Sequence, residues 1–145
     1  MGMMKNWMMV LLFMCGTAGF AQQWQKDLNL ATAKASSSNK VVLLLFSVPD
    51  ACDVCDRFEK NVIKSDAFVK YAQENYVLAR PDFSGSADML TKADNLLIVE
   101  KYNKDGFFPW VVILDGNSKV LGKMGLYNDE TPEEYIKKLE AITKR

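Results

Sequence analysis

Two cysteines three positions apart, Cys52 and Cys55, constrain this chain more than any other feature. They follow the apolar run Val41 to Phe46, broken by Pro49 and Asp50, and open a stretch of helical periodicity marked by Phe58, Val62, Ile63, Phe68, Val69 and Ala72. The order is strand, tight turn, then two thiols at the start of a helix. Thiols so spaced can close a small disulfide ring. The unpaired N–H groups of a helix N-terminus also favour a thiolate on the first sulfur. Together, strand, turn and Cys-x-x-Cys on a helix start are a redox signal.

Composition narrows the alternatives. The 145 residues suit one domain, and 18 basic against 18 acidic residues give no field for nucleic acid. The chain has no histidine. Ser-His and Cys-His nucleophile pairs and histidine metal sites are therefore excluded. Haem attachment is excluded too, because Asp56 follows Cys55. One Cys-x-x-Cys offers two of the four ligands a structural zinc needs, so no metal and no cofactor is expected.

The first 21 residues have the pattern of an export signal. Lys5 supplies the positive charge, Trp7 to Cys15 the short apolar segment, and Gly19-Phe20-Ala21 the small residues of a cleavage site. The apolar run falls short of the roughly 20 residues that span a bilayer. Met14 before Cys15 is not the small residue expected ahead of a lipidated cysteine. The expected organisation is a signal peptide over 1–21, cleaved after Ala21, and one domain over 22–145, exported to the periplasm or beyond, without stable membrane insertion. Removal of Cys15 leaves Cys52 and Cys55 alone. A disulfide between them closes too small a loop to constrain the unfolded chain much, so chemistry explains them better than architecture.

Trp24 to Ala35 reads as an amphipathic helix ended by a turn at Ser36-Ser37-Ser38-Asn39. Lys40 to Ser47 is apolar on both faces, as in a central strand covered on both sides. The helix from Cys52 restarts near Ser65, an N-cap for Asp66 to Asn75, and Tyr76 to Ala79 is a second strand. After Ser84-Gly85-Ser86, Ala87 to Asn103 carries Leu90, Ala93, Leu97 and Tyr102 on a helix. Trp110 to Leu114 and Lys119 to Gly122 flank a hairpin turn at Asp115-Gly116-Asn117-Ser118. Thr131, Pro132 and Glu134 open a C-terminal helix with a capping box, and Tyr135, Ile136, Leu139 and Ile142 form its apolar stripe.

This order, with the cysteines after the first central strand, resembles the thioredoxin fold, most of all the exported bacterial thioredoxin-like proteins with an added N-terminal helix. The stretches that carry the resemblance lie between Trp24 and Ala141: Cys52 and Cys55, Phe58-Glu59 with Val62, Tyr76 to Asp82, Lys101-Tyr102-Asn103, Phe108-Pro109 before Trp110 to Asp115, and Gly122 with Gly125-Leu126-Tyr127. It implies an α/β three-layer sandwich whose mixed central sheet combines a parallel pair with an antiparallel C-terminal hairpin. It makes Cys52 the attacking thiol and Cys55 the resolving one. Pro109 becomes a cis-proline facing them, and the backbone of Phe108 a contact for a substrate peptide. The implied partners are protein disulfides and a membrane electron donor of unknown identity, met by a monomer.

The chain departs from the family at three places. Ala51 replaces the usual tryptophan before the first cysteine, and Leu45 or Phe46 the buried carboxylate of the first central strand. The loop Gly106-Phe107-Phe108 before Pro109 is one residue longer than usual. A thioredoxin-fold binding module with a vestigial Cys-x-x-Cys is therefore the competing reading. The neighbours Asp50, Asp53 and Asp56, partly offset by Arg57 and Lys60, oppose a thiolate at Cys52. Asp53, between the sulfurs, is the expected tuning residue. A less stabilised reduced form makes a more reducing couple, which leans the chemistry toward reduction or isomerisation.

Overall fold

The computed structural model describes residues 22–144. The expected signal peptide, with Cys15 and the Ala21 cleavage site, lies outside them. In chain order the elements are β1 (Trp24–Gln25), α1 (Leu28–Ser38), β2 (Val41–Phe46), α2 (Asp53–Phe58) continuing into a π-helical turn (Glu59–Ile63), α3 (Asp66–Asn75), β3 (Tyr76–Ala79), α4 (Met89–Tyr102), β4 (Trp110–Leu114), β5 (Val120–Lys123) and α5 (Pro132–Thr143).

The five strands form one sheet in the order β1-β3-β2-β4-β5. β2 runs parallel to β3, from Val41↔Tyr76 to Leu44↔Ala79, and antiparallel to β4, from Val42↔Leu114 to Phe46↔Trp110. β4 and β5 close the antiparallel edge, with a register shift between Ile113 and Leu114. β2 is central and almost wholly buried, as its unbroken apolar run predicts. Successive side chains of a strand point to opposite faces. Leu43 and Leu45 accordingly join Phe58, Phe68 and Tyr135 under α2, α3 and α5. Val42, Leu44 and Phe46 join Ala31, Tyr102 and Val112 under α1 and α4.

Most elements fall where periodicity and caps place them. Ser65 caps α3 by accepting from Phe68 N–H at 3.2 Å, and Thr131 and Glu134 form the reciprocal capping box of α5. The N-terminal helix differs. Trp24–Gln25 is a short edge strand beside Leu78 and Ala79, and the helix begins only at Leu28, where Asp27 accepts from Asn29 N–H at 2.8 Å. It then runs through the three serines expected to end it. Ser37 and Ser38 satisfy their hydroxyls on the Lys34 carbonyl, at 3.1 and 2.7 Å, without leaving the helix. Asn39 terminates it in the left-handed region at φ 54°.

The second difference is the rotation of α4. Leu90 and Leu97 are 80% and 64% exposed. The inward side holds Asn95, which donates to the Asp82 carbonyl at 2.6 Å, and Tyr102, which donates to the Ser118 carbonyl at 3.2 Å. This helix carries apolar residues on two arcs, and the arc of Ile98, Val99 and Tyr102 faces the sheet.

Candidate active site

The C-terminal ends of β2 and β3 point to one end of the molecule, and Ser47 to Ala51 turn the chain there into α2. Cys52 is the N-cap of α2 in extended conformation, and its Sγ accepts from the Cys55 N–H at 3.2 Å. This hydrogen bond stabilises negative charge on the first sulfur. Cys52 and Cys55 form a disulfide, their Cα atoms 5.1 Å apart. Cys52 is half-buried, whereas Cys55 is fully enclosed. Attack from outside can therefore reach only Cys52.

The opposing wall comes from the segment before β4. Phe108-Pro109 is a cis peptide, and the Phe108 carbonyl oxygen lies 3.9 Å from Cys52 Sγ. The Phe108 ring turns to the other face of the sheet, where it meets Phe83 edge-on at 5.4 Å and Phe46 at 6.0 Å. Its backbone thus faces the sulfur while its side chain is anchored behind the sheet. Phe107 is the more exposed ring of the pair and lies edge-on to Trp110 at 5.5 Å.

Sequence reasoning gave Asn103 no role. Its side chain, 1% exposed, donates to the Phe107 carbonyl at 2.8 Å and accepts from the Phe107 N–H at 2.9 Å. The Gly106 N–H meets the Asn103 carbonyl at 2.9 Å, and Gly106 itself sits at φ 69°, where a side chain is disfavoured. The longer loop is therefore a fastened one. The sequence marks the place only by an asparagine at a helix end three residues before a loop glycine.

Around the sulfurs the acidic residues are arranged unequally. Asp53 is exposed between the two cysteines. Asp56 is turned back to accept from the Asp50 N–H at 3.2 Å. Arg57 pairs with Asp129 at 3.2 Å, which spends its charge away from the sulfurs. The two candidates for the missing strand carboxylate are now separated: Leu45 packs on the cysteine face and Phe46 on the other.

A central mixed sheet, a Cys-x-x-Cys on a helix start and a cis-proline whose preceding carbonyl faces the first sulfur define a thioredoxin fold. The chain belongs to the thioredoxin-like domain family, whose sequence profile matches residues 28–142. Among solved structures it is similar to the DsbH oxidoreductase, with a TM-score of 0.76 and 22% identity over 84% of each chain. A thioredoxin from Thermus thermophilus gives a TM-score of 0.62 at 17% identity, over 83% of this chain and 86% of that one. The disulphide isomerase of Xylella fastidiosa Temecula1 gives 0.54 at 18% identity, over 71% and 80%. No curated protein sequence matches the chain.

Proposed function

We propose that the protein is a thiol–disulfide oxidoreductase that reduces or isomerises protein disulfides in the cell envelope. The observation that carries this reading is the asymmetry of the pair: a half-buried Cys52 sulfur capping α2 and facing the Phe108 carbonyl, with Cys55 enclosed behind it. The similarity to the DsbH oxidoreductase and to the disulphide isomerase supports it.

In the reduced protein the Cys52 thiolate attacks one sulfur of a substrate disulfide. A Cys52–substrate disulfide forms and the other substrate sulfur leaves as a thiolate that takes up a proton. Cys55 then loses its proton and attacks Cys52 Sγ. The Cys52–Cys55 bond forms, the second substrate thiolate departs, and two electrons have passed to the substrate. Phe108 and Pro109 are the backbone wall along which an extended substrate segment lies. A membrane electron donor returns the pair to the dithiol, and the export signal over 1–21 delivers the monomeric domain 22–145 to that compartment.

The test is a mixed-disulfide trap. Cys55→Ser should accumulate covalent adducts with disulfide-containing proteins through Cys52, and Cys52→Ser should abolish disulfide reduction. A Cys55→Ser protein that forms no adduct would favour the binding-module reading, for which Ala51 and Leu45 are the supporting departures.

A further inference from the structure

The cysteine face lacks a carboxylate on β2, where Leu45 stands. A carboxylate nevertheless reaches that face from the helix. Glu59 lies one turn beyond Cys55, to whose carbonyl its N–H donates. Side chains four apart on a helix share a face, with Cβ atoms about 5–6 Å apart. The Glu59 side chain is only 15% exposed and accepts from Arg80 Nη2 at 2.6 Å. Arg80 follows β3 directly, one step past the Leu44↔Ala79 pair, so the parallel ladder sets it beside Leu45. Its guanidinium lies 4.5 Å over the Trp24 ring, and its Nε is buried without a partner.

Desolvation offsets most of the attraction in such a pair, so stability alone is a weak reason for it. Its electrostatic reach is a better one, because solvent and salt screen buried charges poorly. We propose that Glu59, moderated by Arg80, sets the acidity of the Cys52–Cys55 thiols from the helix, where the family's usual carboxylate acts from the strand. Glu59 is a positioning residue in this sense: it acts through Cys55 and touches no substrate. The inference rests on the redox reading above. Its negative charge, one turn from the enclosed sulfur, disfavours thiolate and stabilises the thiol. Arg80 limits that effect. The other charges near the sulfurs are Asp53, Asp56, Arg57 and Lys60 on the same helix, Asp50 in the preceding turn and Asp129 before α5. All are exposed, and solvent screens them more.

The experiment titrates thiolate absorbance and measures the equilibrium with glutathione in the mature chain, in Glu59→Gln and in Arg80→Gln. Both variants lose the same ion pair, so a purely structural clamp predicts lost stability in each, larger where the Trp24 contact is lost too, and unmoved thiol acidity. The electrostatic role predicts opposite shifts. Glu59→Gln should lower the Cys52 pKa and move the equilibrium toward the reduced protein about threefold to tenfold, tenfold corresponding to about 30 mV. Arg80→Gln should move both the other way, and Glu59→Asp should stay near the parent protein. Shifts of the same sign, or none, would overturn the proposal. The thiolate titration needs no substrate, so it judges Glu59 even if the parent protein reduces no disulfide, an outcome that would sink the redox reading instead.

Discussion

Under α2, α3 and α5, the sheet face formed by Leu43, Leu45, Val111 and Ile113 packs against Phe58, Phe68, Tyr135 and Leu139. Under α1 and α4, the other face packs Val42, Leu44, Phe46 and Val112 against Leu28, Ala31 and Tyr102. None of the large apolar side chains left exposed comes from α2, α3 or α5, whereas α1 and α4 leave Leu30, Met89, Leu90, Leu96 and Leu97 in solvent. The face that bears the sulfurs is thus covered by helices that leave no large apolar side chain exposed. The opposite face is covered by helices that use only part of theirs. A buried disulfide partner such as Cys55 needs the first kind of cover, because water reaching it would open a second route of attack.

The strongest way to break this contrast is at Phe58, whose ring meets Tyr127 at 4.9 Å and Tyr135 at 5.0 Å on the helix that carries the cysteines. Phe58→Ala should cost about 3–5 kcal/mol of unfolding free energy in denaturant titrations. It should also speed alkylation of Cys55 in the reduced protein. Unchanged Cys55 protection would show that the packing does not guard the sulfur.

Asn103→Ala tests the loop that crosses from α4 to the site. Two buried hydrogen bonds with the Phe107 backbone disappear, at a cost of about 1–3 kcal/mol. Reaction with protein disulfides should fall further than reaction of Cys52 with a small alkylating reagent. Equal losses would mean that the loop holds no substrate.

Asp53→Asn is expected to act by electrostatics alone, because the carboxylate is exposed between the sulfurs. It should lower the Cys52 pKa and make the couple more oxidising, by less than a buried charge would, since solvent screens it. A raised or unmoved pKa in thiolate titration would remove the reductase lean. The smallest effect belongs to the outer arc of α4. Leu97→Gln should change stability by no more than about 0.5 kcal/mol, and a loss of several times that would show that the arc is covered in solution.

The central strand, the restart at Ser65 and the capping box at Thr131 are legible in the sequence because each is fixed by neighbours a few residues away. So is the placement of Cys52 and Cys55. Trp24–Gln25 is not, since its strand exists only by pairing with Leu78 and Ala79, far along the chain. The orientation of α4 is hidden for another reason: both of its arcs satisfy helical periodicity, and the polar Asn95 and its bond to the Asp82 carbonyl decide which one turns inward. At the site, Asn103 and the Glu59–Arg80 pair escape notice because their partners are a backbone and a residue on another element.

Phe108 belongs to both faces at once. Its carbonyl stands before Cys52 Sγ, and its ring is gripped by Phe46 and Phe83 on the opposite side of the sheet. The position of the Phe108 carbonyl before Cys52 is therefore fixed from behind the sheet, while the two cysteines are carried by the helix in front of it. On the proposed reading, affinity for a peptide and driving force for its reduction become two independent dials. Repacking around Phe83 can turn the first without disturbing the second.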